Sequence, residues 1–272
     1  MNDPVYALGH SQPELERLQR QERLVGPVTR RFFRDAGITT GMRVLDVGSG
    51  AGDTAFAVAE LVGETGEVIG TDRAPAALAA ATKRARDLGL RQVTFCAGNP
   101  AEIRFERPFD AVVGRYVLLF QADPAAMVRG LVKQLRPGGI IAFHEPDLTC
   151  ARSFPPAPTY DRCLRWLTDV FRLVDSEANM AVRLYQAFAG AGLSSTMRME
   201  TVIGGGAGCG DWLQAAAELL HSMLPTMERL GVATAAEVEI DTLADRMRRE
   251  ATANGSLILG RSEIAAWSRV PG

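Results

Sequence analysis

The sequence predicts an α/β fold: a doubly wound, mostly parallel seven-stranded sheet with N-terminal helices and two helical insertions forming a cap. Three observations predict it. Short, nearly all-apolar runs at 43–47, 67–71, 93–97, 109–114 and 139–144 alternate with segments of helical period. Strands of that kind are buried on both faces, as when helices cover a parallel sheet. Last, the first run stops in a loop with glycine at 48, 50 and 52, and a helical segment follows. Five β-α steps in about a hundred residues make a doubly wound domain.

The elements follow in order. Ser11-Gln12-Pro13-Glu14 is a capping box, and Leu15, Leu18 and Val25 recur at helical spacing. Gly26-Pro27 predicts a break, with a second helix carrying Val28, Phe32 and Phe33 to Gly37. Between the strands of the core lie helices at 53–62, 75–88 and 124–135. Asp123 is a good N-cap before Pro124, and Arg136-Pro137-Gly138-Gly139 is a turn.

After His144 the rhythm changes. A Pro-rich turn at 154–158 precedes a helix with Cys163, Leu167, Val170 and Val174 on one face. A helix at 177–191 ends at Gly192, and 195–203 alternates like a strand. Five glycines within 204–210 read as a hinge; without Gly-Lys-Ser/Thr they are no phosphate loop. Residues 211–253 are helical, with a capping box at Thr234–Glu237, and 257–267 form a last strand. The expected organisation is a helical lid at 1–37, a core at 38–150, a first insertion at 151–175, core again at 176–203, a second insertion at 204–255 and a final strand at 256–272.

Composition excludes several classes. A net charge of −2 gives no basic field for nucleic acid or an anionic membrane. Cys96, Cys150, Cys163 and Cys209 are widely spaced and form no zinc motif, so no metal is expected and free thiols in a reducing compartment are. The acidic N-terminus has no signal-peptide h-region, and no apolar run reaches the ~18 residues of a membrane span. A cytoplasmic protein without a nucleic-acid or membrane partner is the expectation.

Glycine loops after a first strand serve two ligand classes. Dinucleotide folds need a third glycine where this chain has Asp53. Val44-Leu45-Asp46-Val47-Gly48-Ser49-Gly50-Ala51-Gly52 instead resembles motif I of class I methyltransferases dependent on S-adenosylmethionine (SAM). Gly70-Thr71-Asp72-Arg73 ends the second strand, with an acid placed to accept from ribose hydroxyls. The third ends in Gly98-Asn99, where the family usually has Gly-Asp; the Asn99 amide oxygen still accepts from an adenine amine. Phe109–Arg115 resembles the strand beside the methionine half, and 135–139 the turn before the fifth strand. The resemblance is strongest over 41–145. Tyr6-Ala7-Leu8-Gly9, 14–21, 189–193 and 225–246 are similar to a bacterial subgroup acting on small molecules.

That resemblance implies SAM as cofactor, with S-adenosylhomocysteine as product. It implies cofactor contacts from Asp46, Gly48, Ser49, Gly50, Asp72, Arg73, Gly98, Asn99 and Arg115. It also implies that the N-terminal helix folds over the site, with Tyr6 and Gln21 near the methionine end. Each has a plainer alternative. Asp46 could cap the turn, although a charge in an apolar strand is costly without a partner. The glycines could serve only the turn, Asp72 could cap the next helix, Arg115 could be a surface ion-pair residue, and Tyr6 could be core.

The methyl acceptor site is expected near the carboxyl ends of the strands. His144 and Glu145 end the fifth strand and are the candidate general bases; either could instead pair with backbone or arginine. His221 and His10 are weaker candidates. Arg162, Arg165 and Arg172 read as a solvated face or as anion ligands, and Trp166, Phe171 and Trp212 as core or pocket wall. The insertions imply an enclosed pocket. The expected function is methyl transfer to an oxygen or carbon of a small organic molecule. The competing readings are an NAD(P)-dependent oxidoreductase, and a SAM-binding module without transfer, such as a ligand-binding subunit or a cyclase. A homo-oligomer through a swapped N-terminal helix is compatible with the chain.

Overall fold

A computed structural model describes residues 12–272, except Ala101 and Asp175. Tyr6, His10 and the Ser11 capping box lie outside the described residues. In chain order the elements are α1 (Gln12–Asp35), β1 (Arg43–Val47), α2 (Asp53–Val62), β2 (Glu67–Asp72), α3 (Pro75–Asp87), β3 (Val93–Ala97), β4 (Phe109–Arg115), α4 (Pro124–Val132), β5 (Leu135–Asp147), β6 (Arg152–Phe154), α5 (Pro158–Leu173), α6 (Met180–Gly190), β7 (Thr196–Gly205), α7 (Gly210–Leu230), α8 (Ala235–Val238), α9 (Ile240–Ala253) and β8 (Leu257–Arg269). The seven expected strands are all present; β6 is an eighth. Two compact units divide the chain.

One unit comprises Val25–Glu145, Ala181–Arg198 and Ile264–Gly272. Its strands run in the order β3-β2-β1-β4-β5, parallel throughout. The order reverses at β1, whose neighbours are β2 and β4, so the ends of β1 and β4 open the crevice where such sheets bind ligands. Val44, Val68, Val113 and Ile140 meet Ala55, Val58 and Val62 of α2 and Phe33 of α1 in one buried core. Asp123 caps α4 as expected, its carboxylate accepting from the Ala126 N–H at 2.8 Å. Residues 136–139, read as a turn, form a bulge inside β5: Leu135 pairs with Phe109, and the register resumes at Ala111 and Ile140.

The expected break at Gly26-Pro27 does not occur; α1 continues through Pro27. A proline removes its own N–H and the bond to the carbonyl four residues back. Here Val25, Phe32, Phe33 and Ala36 are all buried on one face, and that packing outweighs the local loss. Residues 25–37 therefore belong to the same unit as the core strands.

The other unit comprises the described residues up to Leu24, Pro146–Met180 and Met199–Glu263. In it α5, α7 and α9 pack on one another, and β6 pairs antiparallel with the start of β8. Cys163, Leu167 and Val170 face this core, while Arg162, Arg165 and Arg172 are exposed, the solvated face of an amphipathic helix. The buried Tyr160 hydroxyl donates to the Leu259 carbonyl (3.0 Å) and accepts from the Trp212 indole (2.8 Å), so Trp212 and Tyr160 are core groups. Burial pushes the Cys163 thiol up to about 12, as suits an inert packing residue. The segment read as a hinge is the end of β7, a 3₁₀ turn (Gly206–Cys209) and the first residue of α7. A Cβ at Gly204 would lie 2.8 Å from the Cys209 sulfur, so close packing explains that glycine.

Candidate functional site

The glycine loop leaves β1 at Val47. Gly48, Gly50 and Gly52 have φ of 65°, 52° and 94°, the left-handed region that disfavours side chains. Their reasons differ. A Cβ at Gly48 would lie 2.8 Å from Val117, and one at Gly52 2.6 Å from the Phe56 ring. A Cβ at Gly50 would meet nothing within 4 Å, so Gly50 forms the open side of the loop. Asp53 follows, where a dinucleotide fold needs glycine. It forms a 2.7 Å ion pair with Arg84, which also donates to the Ala51 carbonyl at 2.6 Å. The loop is thus braced against α3.

Asp72 joins the end of β2 to this loop. One carboxylate oxygen accepts from the Gly50 N–H at 2.8 Å, the other from the Ala74 N–H at 2.9 Å. The cap residue of α3 is Ala74, so Asp72 orders the loop and the entry to α3 without being the cap itself. Gly98 donates its N–H to the Asp72 carbonyl at 3.0 Å, placing the ends of β2 and β3 together. Asn99 donates its amide N–H to Glu102 at 2.8 Å. Arg73 is exposed beside Asp72.

Asp46 is fully buried in β1, and neither carboxylate oxygen makes a hydrogen bond of ordinary length and angle among the described residues. Burial raises its carboxyl well above the ordinary carboxylate range; Arg115 pulls it back, Asp72 pushes it further up, and the Ala55 N–H and Asp53 add smaller opposing effects. The Ser49 hydroxyl is likewise buried without a partner among the described residues. Buried polar groups are normally satisfied. Two such groups beside an open glycine loop are what a ligand with complementary donors would complete.

A second cluster lies at the ends of β4 and β5, where Arg115 and His144 are register partners. His144 is fully buried, and its Nδ1 lies 3.2 Å from the Thr29 hydroxyl of α1. The Phe32 and Tyr116 rings meet its imidazole edge to face at 5.1 and 5.4 Å. Arg115 donates to the same Thr29 hydroxyl at 3.1 Å, which ties it to the buried His144. Glu145 is also fully buried; one oxygen accepts from the Val117 and Leu118 N–H groups at 2.9 and 2.7 Å. That contact holds the 3₁₀ turn Leu118–Phe120 and the preceding Tyr116, a non-glycine residue at φ 59°.

The unit therefore assembles the glycine loop, Asp46, Asp72, Gly98 and Asn99 along one edge, and Arg115, His144 and Glu145 at β4 and β5. Gln21, half-buried on α1, and His221, exposed on α7, both lie in the other unit. Thr29 was missed. Its signal was a polar residue on the apolar stripe of Val25, Phe32 and Phe33, four residues after the first and three before the second. Among the described residues there is no cluster suited to a metal ion and no helix long and apolar enough to cross a membrane.

Residues 38–189 match the methyltransferase domain family, more than half of the chain. The chain belongs to that family. It is 37% identical over 133 residues to aklanonic acid methyltransferase DauC of Streptomyces sp. (strain C5), covering 48% of this chain and 60% of that one. It is 38% identical over 119 residues to the 2-phytyl-1,4-naphthoquinone methyltransferase of Synechococcus elongatus, covering 42% and 51%. The methyltransferase-domain chain thus spans about half to three fifths of the length of these curated relatives. The YcgJ protein of Bacillus subtilis has the same fold, with a TM-score of 0.57 at 20% identity over 90% of this chain and 99% of that one. The doubly wound reading and the resemblance drawn from the glycine loop both hold.

Proposed function

We propose that this methyltransferase-domain protein uses SAM to methylate an oxygen or carbon of a small organic molecule. The observation that carries the reading is the buried Asp46 carboxyl, without a hydrogen bond of ordinary geometry among the described residues, beneath a glycine loop tied to Asp72 at the switch point of the sheet. The residues present fit SAM. Asp46, Gly48, Ser49 and Gly50 would meet the methionine half, with Arg115 at its far end. Asp72 and Arg73 would hold the ribose, and Gly98 and Asn99 the adenine. SAM supplies a methyl group on a positively charged sulfur, ready for in-line displacement.

The chain's own work is alignment and proton handling. Alignment in a closed site can account for roughly 7–11 kcal/mol of barrier. His144 would take the proton of an acceptor hydroxyl or acidic carbon, and Glu145 would keep the adjoining turn in place. The relative named for a naphthoquinone makes quinones the first acceptors to try, with aklanonic acid, named for the other relative, beside them. The free cysteines support a reducing, cytoplasmic setting.

Calorimetry with S-adenosylhomocysteine tests the cofactor. Micromolar binding is expected; no binding at hundreds of micromolar, or tight NADH binding in its place, overturns the reading. Transfer of labelled methyl from SAM to a hydroxylated naphthoquinone tests the reaction.

Asp46 yields a separate expectation. A carboxyl whose folded pKa exceeds its unfolded value binds more protons when folded. Stability then falls as pH rises from about 4, the unfolded value, through the folded one. Asp46→Asn removes that loss. The ligand-free variant is expected to melt roughly 2–4 °C higher than wild type near pH 7 for each kcal/mol relieved, with the gap closing towards pH 4. The same variant is expected to bind S-adenosylhomocysteine about tenfold or more weakly. A melting gap independent of pH would show that Asp46 is not the titrating group.

A further inference from the structure

The Thr29 hydroxyl sits among three groups. It is 3.1 Å from the Val25 carbonyl oxygen, 3.2 Å from Nδ1 of His144 and 3.1 Å from a guanidinium nitrogen of Arg115. It is fully buried, so water does not complete its shell. A hydroxyl has one proton to donate and two lone pairs. The Val25 carbonyl can only accept, and the Arg115 guanidinium can only donate. All three contacts are hydrogen bonds in one arrangement alone. The hydroxyl proton goes to Val25, one lone pair accepts from Arg115, and the other accepts from an N–H at Nδ1 of His144. If the hydroxyl donated to Nδ1 instead, the Val25 contact would hold no proton and one buried lone pair would go unused.

We propose that Thr29 is a positioning residue that fixes neutral His144 as its Nδ1–H tautomer, making Nε2 the basic nitrogen of the site. The inference rests on the reading of His144 as the general base only for its catalytic consequence; the tautomer itself follows from the Thr29 geometry. The hydroxyl also sets the ring's orientation, together with the edge contacts from Phe32 and Tyr116. Which nitrogen of a histidine is basic is set by the bond its other nitrogen makes. A threonine on α1 would thus decide the protonation pattern of a residue at the end of β5.

Nitrogen NMR on the full chain labelled with ¹⁵N-histidine tests this. The sequence has three histidines, and His10→Gln and His221→Gln variants assign the signals. In wild type, His144 is expected to show a protonated, pyrrole-type Nδ1 and a pyridine-type Nε2 at a pH where the ring is neutral. Thr29→Ser keeps the hydroxyl and is expected to keep that pattern. Thr29→Val removes it and is expected to move the ring towards the Nε2–H form. A wild-type ring protonated at Nε2, or a Thr29→Val ring unchanged from wild type, would overturn the proposal.

Kinetics separates this from the reading of His144 as base. Thr29→Val is expected to lower kcat about tenfold, part of the ~10²–10⁴ a positioned base supplies, with Thr29→Ser restoring the rate; a rise in KM for SAM would report the Arg115 bond lost with the same hydroxyl. If the tautomer shifts as expected while kcat stays at the wild-type value, the base assignment fails and the positioning role of Thr29 stands.

Discussion

Gly48→Ala is expected to abolish measurable binding of S-adenosylhomocysteine and to lower the stability of the fold by about 2–4 kcal/mol. Two terms add. A left-handed backbone costs a residue with a Cβ about 1–2 kcal/mol. The new methyl would also lie 2.8 Å from Val117, a buried residue whose N–H is held by Glu145, so the neighbour has little room to yield. The loop must then move, and Gly50, whose N–H is bonded to Asp72, moves with it. Gly50→Ala is the control. It keeps the left-handed penalty of about 1–2 kcal/mol but meets no atom within 4 Å. It should stay folded and lose binding because a methyl group covers the open side of the loop. Equal destabilisation of the two variants in urea titrations, with binding retained in both, would refute the assignment of the loop.

His144→Gln and Glu145→Gln should separate cleanly, although the two residues are adjacent in β5. His144→Gln removes the proposed base and is expected to cut methyl transfer by ~10²–10⁴, with affinity for S-adenosylhomocysteine within about threefold of wild type. Glu145→Gln keeps an acceptor oxygen for the Val117 and Leu118 N–H groups and is expected to retain most activity. Glu145→Ala leaves both N–H groups buried without an acceptor, at about 1–3 kcal/mol each, and should behave as a stability mutant. Single-turnover rates and thermal melts on the same preparations check all three. A large rate loss in Glu145→Gln with normal melting would instead make Glu145 the base.

The two residues also mark how far the sequence could be read. Their place at a strand end was visible, because strand position follows from apolar period and turn residues within a short window. What each one touches was not. Glu145 meets backbone N–H groups about 27 residues earlier in the chain, and His144 meets Thr29 115 residues away. Helix α1 carries the same lesson: Gly26-Pro27 is a local stop signal, overridden by burial of Val25, Phe32 and Phe33, whose partners local sequence does not reveal. Arg115 was ambiguous between surface and site for the same reason, since its bond to Thr29 joins residues 86 positions apart.

By itself the sequence determined the α/β architecture, the glycine loop, the acid at the end of each of the first two strands and the family to which these belong. Those features are written in local periods and fixed spacings, which a single strand-loop-helix must satisfy wherever it sits. The tertiary structure alone decided that Asp46 is fully buried, that Asp72 binds the loop, and that Thr29 gathers Arg115 and His144. Burial, desolvation and hydrogen-bond partnership depend on residues distant in the chain, so they exist only once the sheet and α1 have packed.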